Sequence, residues 1–118
     1  MTPAQFRRIA LSFPGAEEKA HMGHPDFRVG GKIFATLGYP DKRLATIMLS
    51  PQDQDLLLRD HPKAFAPAAG AWGRSGSTSV LLRVAPRPAV AAALESAWRR
   101  RAPKALVAAY GASGEADA

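Results

Sequence analysis

The chain has no cysteine. Disulfides, zinc–thiolate centres, iron–sulfur clusters and a cysteine nucleophile are therefore excluded. No apolar run approaches the ~18 residues that a bilayer-spanning helix needs. The opening residues, Met1-Thr2-Pro3-Ala4-Gln5-Phe6-Arg7-Arg8, lack the apolar stretch of a secretory signal. The expectation is a cytoplasmic protein with no membrane partner.

Convergent reactive groups are also scarce. Glu17-Glu18, the Asp53/Asp55 pair and Asp60 are neighbours along the chain, and such pairs do not close on one reacting bond. Asp53 has a sufficient structural role in the first turn of a helix, where negative charge gains ~0.3–1 kcal/mol. Asp60-His61 are sequence neighbours, which rarely aim at each other. Ser75, Ser77, Thr78 and Ser79 form a polar stretch with no nucleophile elbow and no assigned base. His21-x-x-His24 has a spacing that shares a metal only on a helix, and here Gly23 and Pro25 interrupt an extended segment. Gly30-Gly31-Lys32 is followed by Ile33 and a strand pattern, whereas a phosphate loop needs Ser or Thr and then a helix. No catalytic residue, metal site or cofactor is expected, and the chain does not read as an enzyme.

What is present is one domain of 118 residues, 47% hydrophobic and 22% charged. That length buries about two-thirds of the unfolded surface, enough for one core. Formal net charge is +6, with 11 Arg and 5 Lys, and the pI is about 10.3. Residues 111–118 carry only Glu115 and Asp117, so the body at 1–110 is more basic still. A surplus of this size favours polyanions, nucleic acid first. Its bland rival is charge that merely maintains solubility.

Local patterns order the elements. Thr2-Pro3-Ala4-Gln5 is a capping box with proline at the first helical position, and Phe6, Ile9, Ala10 and Phe13 share one helical face. Pro14-Gly15 stops that helix. A strand-like piece near Glu18–Met22 follows, ended by Gly23-His24-Pro25. Phe27 and Val29 alternate with Asp26 and Arg28 as a half-buried strand. Gly30-Gly31 suits a two-residue type I′ turn, since both positions need positive φ. Lys32–Leu37 returns, Gly38–Lys42 turns, and Leu44–Leu49 is the next strand. Ser50-Pro51 opens a second helix, which runs to Asp60 before His61-Pro62 breaks it. Lys63–Gly70 reads as a loop, Ala71–Arg74 as a short strand, and Thr78–Val84 as a strand with Thr78, Val80, Leu82 and Val84 on one face. After Pro86 and Pro88 a long helix carries Val90, Leu94, Ala97, Trp98 and Arg101 on one stripe. Pro103 begins a short closing helix, and residues 111–118 read as a disordered tail. The order α-β-β-β-β-α-β-β-α-α predicts an α+β domain, an antiparallel β-meander with helices on one face.

The basic residues are the candidates for function. Arg28 and Lys32 flank the first hairpin tip and Lys42 and Arg43 the next. In a meander those tips lie at opposite ends of the sheet, so the two pairs do not make one compact anion site, although a long rod could be straddled. Arg99-Arg100-Arg101 and Lys104 form the densest cluster. Helix-dipole complementation explains one or two of these cations but not all of them. If Trp98 faces the core, Arg99 and Arg100 face outward. Trp72, between Gly70 and Gly73, is either a core residue or a platform for stacking bases.

Three segments carry a resemblance. They are Leu11-Ser12-Phe13-Pro14-Gly15-Ala16-Glu17-Glu18, then His24-Pro25-Asp26-Phe27-Arg28-Val29-Gly30-Gly31-Lys32-Ile33-Phe34-Ala35, and finally Ala97-Trp98-Arg99-Arg100-Arg101-Ala102-Pro103-Lys104. Over about residues 2–110 the chain resembles the MmcQ/YjbR family of small bacterial proteins. The resemblance implies an α+β fold similar to the bacterial frataxin-like fold, and DNA binding through a double wing of hairpins. It brings no catalytic residue or cofactor. Iron chemistry of the frataxin kind calls for an acidic ridge, and the first helix carries Arg7 and Arg8 instead.

The expected function is sequence-tolerant binding of nucleic acid, DNA in particular, by a protein that is monomeric by default. The candidate phosphate contacts are Arg28, Lys32, Lys42, Arg43, Arg74, Arg99, Arg100 and Lys104. The alternative is a regulatory module that binds acidic protein surfaces without enzymatic activity. A third reading is a small-molecule cleft near His21, His24 and Trp72.

Overall fold

The computed structural model describes residues 1–39 and 41–117, with side chains as far as Gly111 except that of His21. α1 (Pro3–Leu11) begins as its capping box requires. Thr2 Oγ1 accepts from the Gln5 backbone N–H at 3.1 Å, and Gln5 Oε1 accepts from that of Thr2 at 2.8 Å. Phe6, Ala10 and Phe13 are buried on its inner side.

Six antiparallel strands follow: β1 (Glu17–His21), β2 (His24–Val29), β3 (Lys32–Leu37), β4 (Leu44–Met48), β5 (Phe65–Pro67) and β6 (Ser77–Leu81). They lie in the order β1-β2-β3-β4-β6-β5. Gly30 and Gly31 make the expected two-residue turn, with φ of 58° and 78°, and pair Val29 with Lys32. Met22 and Gly23 make an equally tight turn, so His24 and Pro25 begin β2 rather than end β1.

Residues directly opposite each other in a sheet share a face. One cross-strand row is Phe27, Ala35, Ile47 and Thr78, and a second is Leu37, Ala45, Val80 and Phe65. Every member is at most 3% exposed. A bulge between Phe27 and Arg28 shifts the register, and both Phe34 and Ala35 are fully buried. The other face carries the row Lys19, Asp26, Thr36, Thr46, Ser79 and Ala66. The sheet is thus apolar on one side and polar on the other.

The apolar side receives α1 and α4 (Arg87–Arg101), whose Val90, Ala93, Leu94, Ala97 and Trp98 are buried. α2 (Pro51–Asp60) packs toward β5 and β6 and starts at the expected cap, Ser50 Oγ accepting from the Asp53 N–H at 3.1 Å. α5 (Lys104–Asp117) lays Leu106, Val107 and Tyr110 on the core. The tail expected at 111–118 falls on positions whose side chains, from 112 onward, lie outside the described residues.

Three local expectations are corrected. Ala71–Arg74 is not a strand but belongs to a one-turn helix, α3 (Gly70–Arg74), closed by the Ser75 N–H on the Ala71 carbonyl at 3.0 Å. The strand expected there lies instead at Phe65–Pro67, inside what reads as the Lys63–Gly70 loop. The Thr78–Val84 strand ends at Leu81. Leu82–Val84 is a 3₁₀ turn that leaves Val84 45% exposed instead of on the inner face. The observed order is therefore α-β-β-β-β-α-β-α-β-α-α, still α+β with one antiparallel sheet backed by helices.

The α3 turn is tied down by one buried amide. Gln54 Nε2 donates to the Gly73 and Ser77 carbonyls, both at 3.0 Å, and lies 3.3 Å from Thr78 Oγ1. Replacing Gln54 by Leu removes both side-chain hydrogen bonds and leaves each carbonyl with a backbone donor alone, Gly76 N–H on Gly73 at 3.1 Å and Ala68 N–H on Ser77 at 2.9 Å; the loss is expected to cost about 1–3 kcal/mol. Urea unfolding checks this as a lower midpoint at constant slope; an unchanged midpoint would show that the amide fastens nothing.

Candidate functional site

The sheet has two ends, and register assigns every basic candidate from the strands to one of them. At the Gly-Gly end lie the Arg28–Lys32 turn, the end of β4 at Met48 and the start of β6 at Ser77. At the other end, beyond Leu37 and Leu44, are Lys42 and Arg43. There the Leu82 N–H donates to the Arg43 carbonyl at 3.2 Å, which brings neighbouring Arg83 to that end as well. The expected separation of the two hairpin tips is what the sheet has.

The helical cations join the Gly-Gly end, a placement decided by tertiary packing. Gly30 sits against the α4–α5 junction: a methyl group on its Cα would lie 3.2 Å from Pro103 Cδ. Arg100 Nη1 donates to the Met48 carbonyl at 2.9 Å. Arg74 leads through Ser75 and Gly76 to Ser77, the register partner of Met48. Lys32, Arg74, Arg100 and Lys104 therefore border one end of the sheet. Arg101, absent from the sequence-based set, belongs with them. Its Nε is buried with no partner among the described residues. Its place on the margin of the apolar stripe was the available signal, and that signal reads equally well as a core-edge residue.

Carboxylates divide the eight candidates. Arg28 forms a two-pronged pair with Asp26, Nε to Oδ1 at 2.8 Å and Nη2 to Oδ2 at 3.0 Å, and Asp26 is only 1% exposed. These hydrogen bonds hold the guanidinium above its ordinary pKa. Arg43 is gripped the same way by Asp41. Arg99 pairs with Glu95 at 3.3 Å and lies 5.2 Å over the Tyr110 ring. The Tyr110 hydroxyl donates to Glu95 at 2.9 Å, and that hydrogen bond raises the phenol above its usual value. Arg28, Arg43 and Arg99 are thus committed within the fold. Among the described residues, Lys32, Lys42, Arg74, Arg100 and Lys104 have no carboxylate within ion-pair distance. Register sets Glu17 opposite Arg28, and Asp53 stands in the first turn of α2 just after β4, so acids approach the Gly-Gly end as well, without pairing with these cations.

Among the described residues no cluster of three His, Asp or Glu is placed to hold a metal. His24 packs edge-on against Tyr39, ring centres 5.1 Å apart. The His21 side chain lies outside the described residues. Two shallow hollows line the β5 side. One, of about 300 Å³, is bounded by His61, Lys63, Val84 and Pro86; the other, of about 200 Å³, by Leu44, Phe65, Ser79 and Leu81. Neither reaches His24 or Trp72. No described helix is long and apolar enough to cross a membrane.

The family model described as YjbR matches residues 11–100. The chain belongs to the YjbR family. No curated protein matches it. Among solved structures it is similar to a crystal structure of the Deinococcus radiodurans protein DR2400, of domain family DUF419. The TM-score is 0.71 at 17% identity, over 83% of this chain and 76% of that one. At that identity the likeness concerns the fold. The YjbR match covers the first two of the three segments that carry the sequence resemblance and the first half of the third, Ala97 to Arg100.

The Asp41 grip gives a titration. The Arg43 side chain, and then its backbone N–H, hold the Asp41 carboxyl down from 3.8 to about 2. A carboxyl lowered on folding contributes stability that is present above its unfolded pKa and is lost as pH falls through the folded one. For Asp41 that window runs from 3.8 down to about 2. Carboxyl-detected NMR is expected to place the Asp41 midpoint near 2 and to return it toward the ordinary value in Arg43→Gln; a midpoint already near the ordinary value in the native chain would refute the grip.

Proposed function

We propose that this YjbR-family protein binds nucleic acid, DNA in particular, through phosphates and with little sequence preference. The binding edge is the Gly-Gly end of its sheet. One observation supports this above the others: the contact of Gly30 with Pro103 sets the Lys32 wing tip beside the basic α4–α5 junction. Cations from three distant parts of the chain then border one surface, and carboxylates leave them uncompensated. Phosphate contacts of this kind fix position and affinity but read no bases. The hairpin tip itself is two glycines and carries no side chain to hydrogen-bond a base edge. Lys32, Arg74, Arg100 and Lys104 are the contacts, with Arg101 behind them. Arg28 acts by stiffening the wing through Asp26. Lys42 lies at the far end and meets only a ligand long enough to span the sheet.

With ~4 phosphates neutralised, the logarithm of affinity for duplex DNA should fall with the logarithm of salt at a slope near −3.6. Charge reversal at Lys32, Arg100 or Lys104 is expected to lower the magnitude of that slope by about 1 each, while reversal at Arg43 or Arg99 changes it little. Fluorescence anisotropy across a salt series measures both. No binding of duplex or single-stranded DNA at about 50 mM salt, or a slope near zero, would overturn the reading.

A further inference from the structure

The phosphate edge leaves one conspicuous side chain unused. Trp72 is 68% exposed, whereas Trp98, the other tryptophan, is fully buried. Trp72 stands on α3, and α3 is built to stay still. Gly73 packs so closely that a methyl group would overlap the Ala68 carbonyl, and Gly76 is pressed in the same way against that of Leu49. Gln54 reaches 19 and more residues along the chain to fasten the Gly73 and Ser77 carbonyls. A linker that only joins β5 to β6 needs none of this. The result is an indole held outward on a rigid support, the preorganisation that makes an aromatic anchor effective.

Its position relates it to the basic edge. Arg74 follows two residues later, and Gly76, touching Leu49, follows four later. Four residues span at most about 14 Å. Trp72 therefore stands within that reach of the Met48–Leu49 segment on which Arg100 rests.

We propose that Trp72 is a stacking platform for an unpaired base, and that the ligand of the basic edge is single-stranded nucleic acid. This rests on the phosphate-binding reading above. A duplex keeps its base faces stacked on one another, so an exposed indole finds no base face along it. A single strand offers both the phosphates that Lys32, Arg74 and Arg100 attract and free base faces for the indole. Stacking of this type is tolerant of sequence, in keeping with an edge that reads phosphates.

The test uses the whole chain, an oligothymidylate of about 12 nucleotides and a blunt duplex of the same length, at low salt. Oligothymidylate is expected to bind more tightly than the duplex and to quench the exposed tryptophan fluorescence. Trp72→Ala should weaken single-strand binding about 5- to 100-fold, change duplex binding less than twofold and abolish the quenching. Trp72→Phe should restore most of the affinity. An unchanged melting temperature in both variants confirms that the fold is intact. If Trp72→Ala leaves single-strand binding unchanged, or weakens both ligands equally, the stacking assignment falls. The phosphate reading survives that result provided Lys32→Glu and Arg100→Glu still weaken binding. If neither ligand binds, or both variants are silent, the two readings fall together.

Discussion

The buried indole of Trp98 is the constraint on which the rest of the molecule depends. Its Nε1 donates to the Pro14 carbonyl at 2.9 Å, so the polar edge of the ring is satisfied inside the core. Phe13 stacks on it at 5.7 Å, and Tyr110 meets it edge-on at 5.1 Å. One side chain thereby fixes α1's exit, the rotation of α4 and the seat of α5. Because residues on a helix are separated by 100°, the rotation that buries Trp98 also turns Arg99 and Arg100 outward and leaves Arg101 at the margin. Hydrophobic packing has set where the charges point. Losing the indole would cost several kcal/mol of packing and would also release the helix that carries the cations.

Four guanidinium groups are spent on ion pairs among the described residues. Three find their acid nearby in the chain: Arg28 and Asp26 two residues apart on one strand face, Arg43 and Asp41 across a turn, Arg99 and Glu95 at i and i+4. The fourth, Arg7, reaches from α1 to Glu18 on β1 at 2.8 Å. Spacing alone does not decide the pairing, since Arg59 follows Asp55 by four residues on α2 without forming such a pair, and tertiary packing gathers four unpaired cations at one end of the sheet. An overall excess of positive charge in the sequence says that some must remain unpaired. It does not say which, or where they meet.

That distinction explains how far the sequence could be read. The capping box of α1, the Ser50 cap of α2, the proline starts and the Gly-Gly hairpin depend on three or four adjacent residues, and each stands where the pattern puts it. The burial of Trp98 follows from its helical stripe, and the separation of the two hairpin tips follows from strand alternation. The segment from Lys63 to Ser77 is different. Two prolines hide a three-residue edge strand, and the α3 turn is set by two glycines, Gly73 within it against the Ala68 carbonyl and Gly76 just after it against the Leu49 carbonyl, the latter a contact with distant backbone. No local preference announces such a contact, so a turn of helix reads as a strand and a strand as a loop. The bulge at Phe27/Arg28 is equally silent, because it answers to the partner strand. The meeting of Gly30 with Pro103 joins positions more than seventy residues apart. Sequence supplies the glycine and the proline, and only the packed helices bring them together.

The two faces of the sheet put the same point in terms of cost. The inner rows bury their side chains against α1 and α4, and the outer row stays polar, with small hydroxyls at Thr36, Thr46 and Ser79 between Lys19 and Asp26. That face is polar yet largely shielded: Asp26 and Thr46 are buried, the Asp26 carboxylate is satisfied by Arg28, and Thr36 Oγ1 is buried with no partner among the described residues. Trp72 is the opposite case: a large apolar side chain that the fold leaves 68% exposed, on a helical turn fastened by close glycine contacts and a buried glutamine amide. Met22 and Leu56 are exposed as well, but neither stands beside the basic edge, and it is this adjacency that the stacking proposal uses.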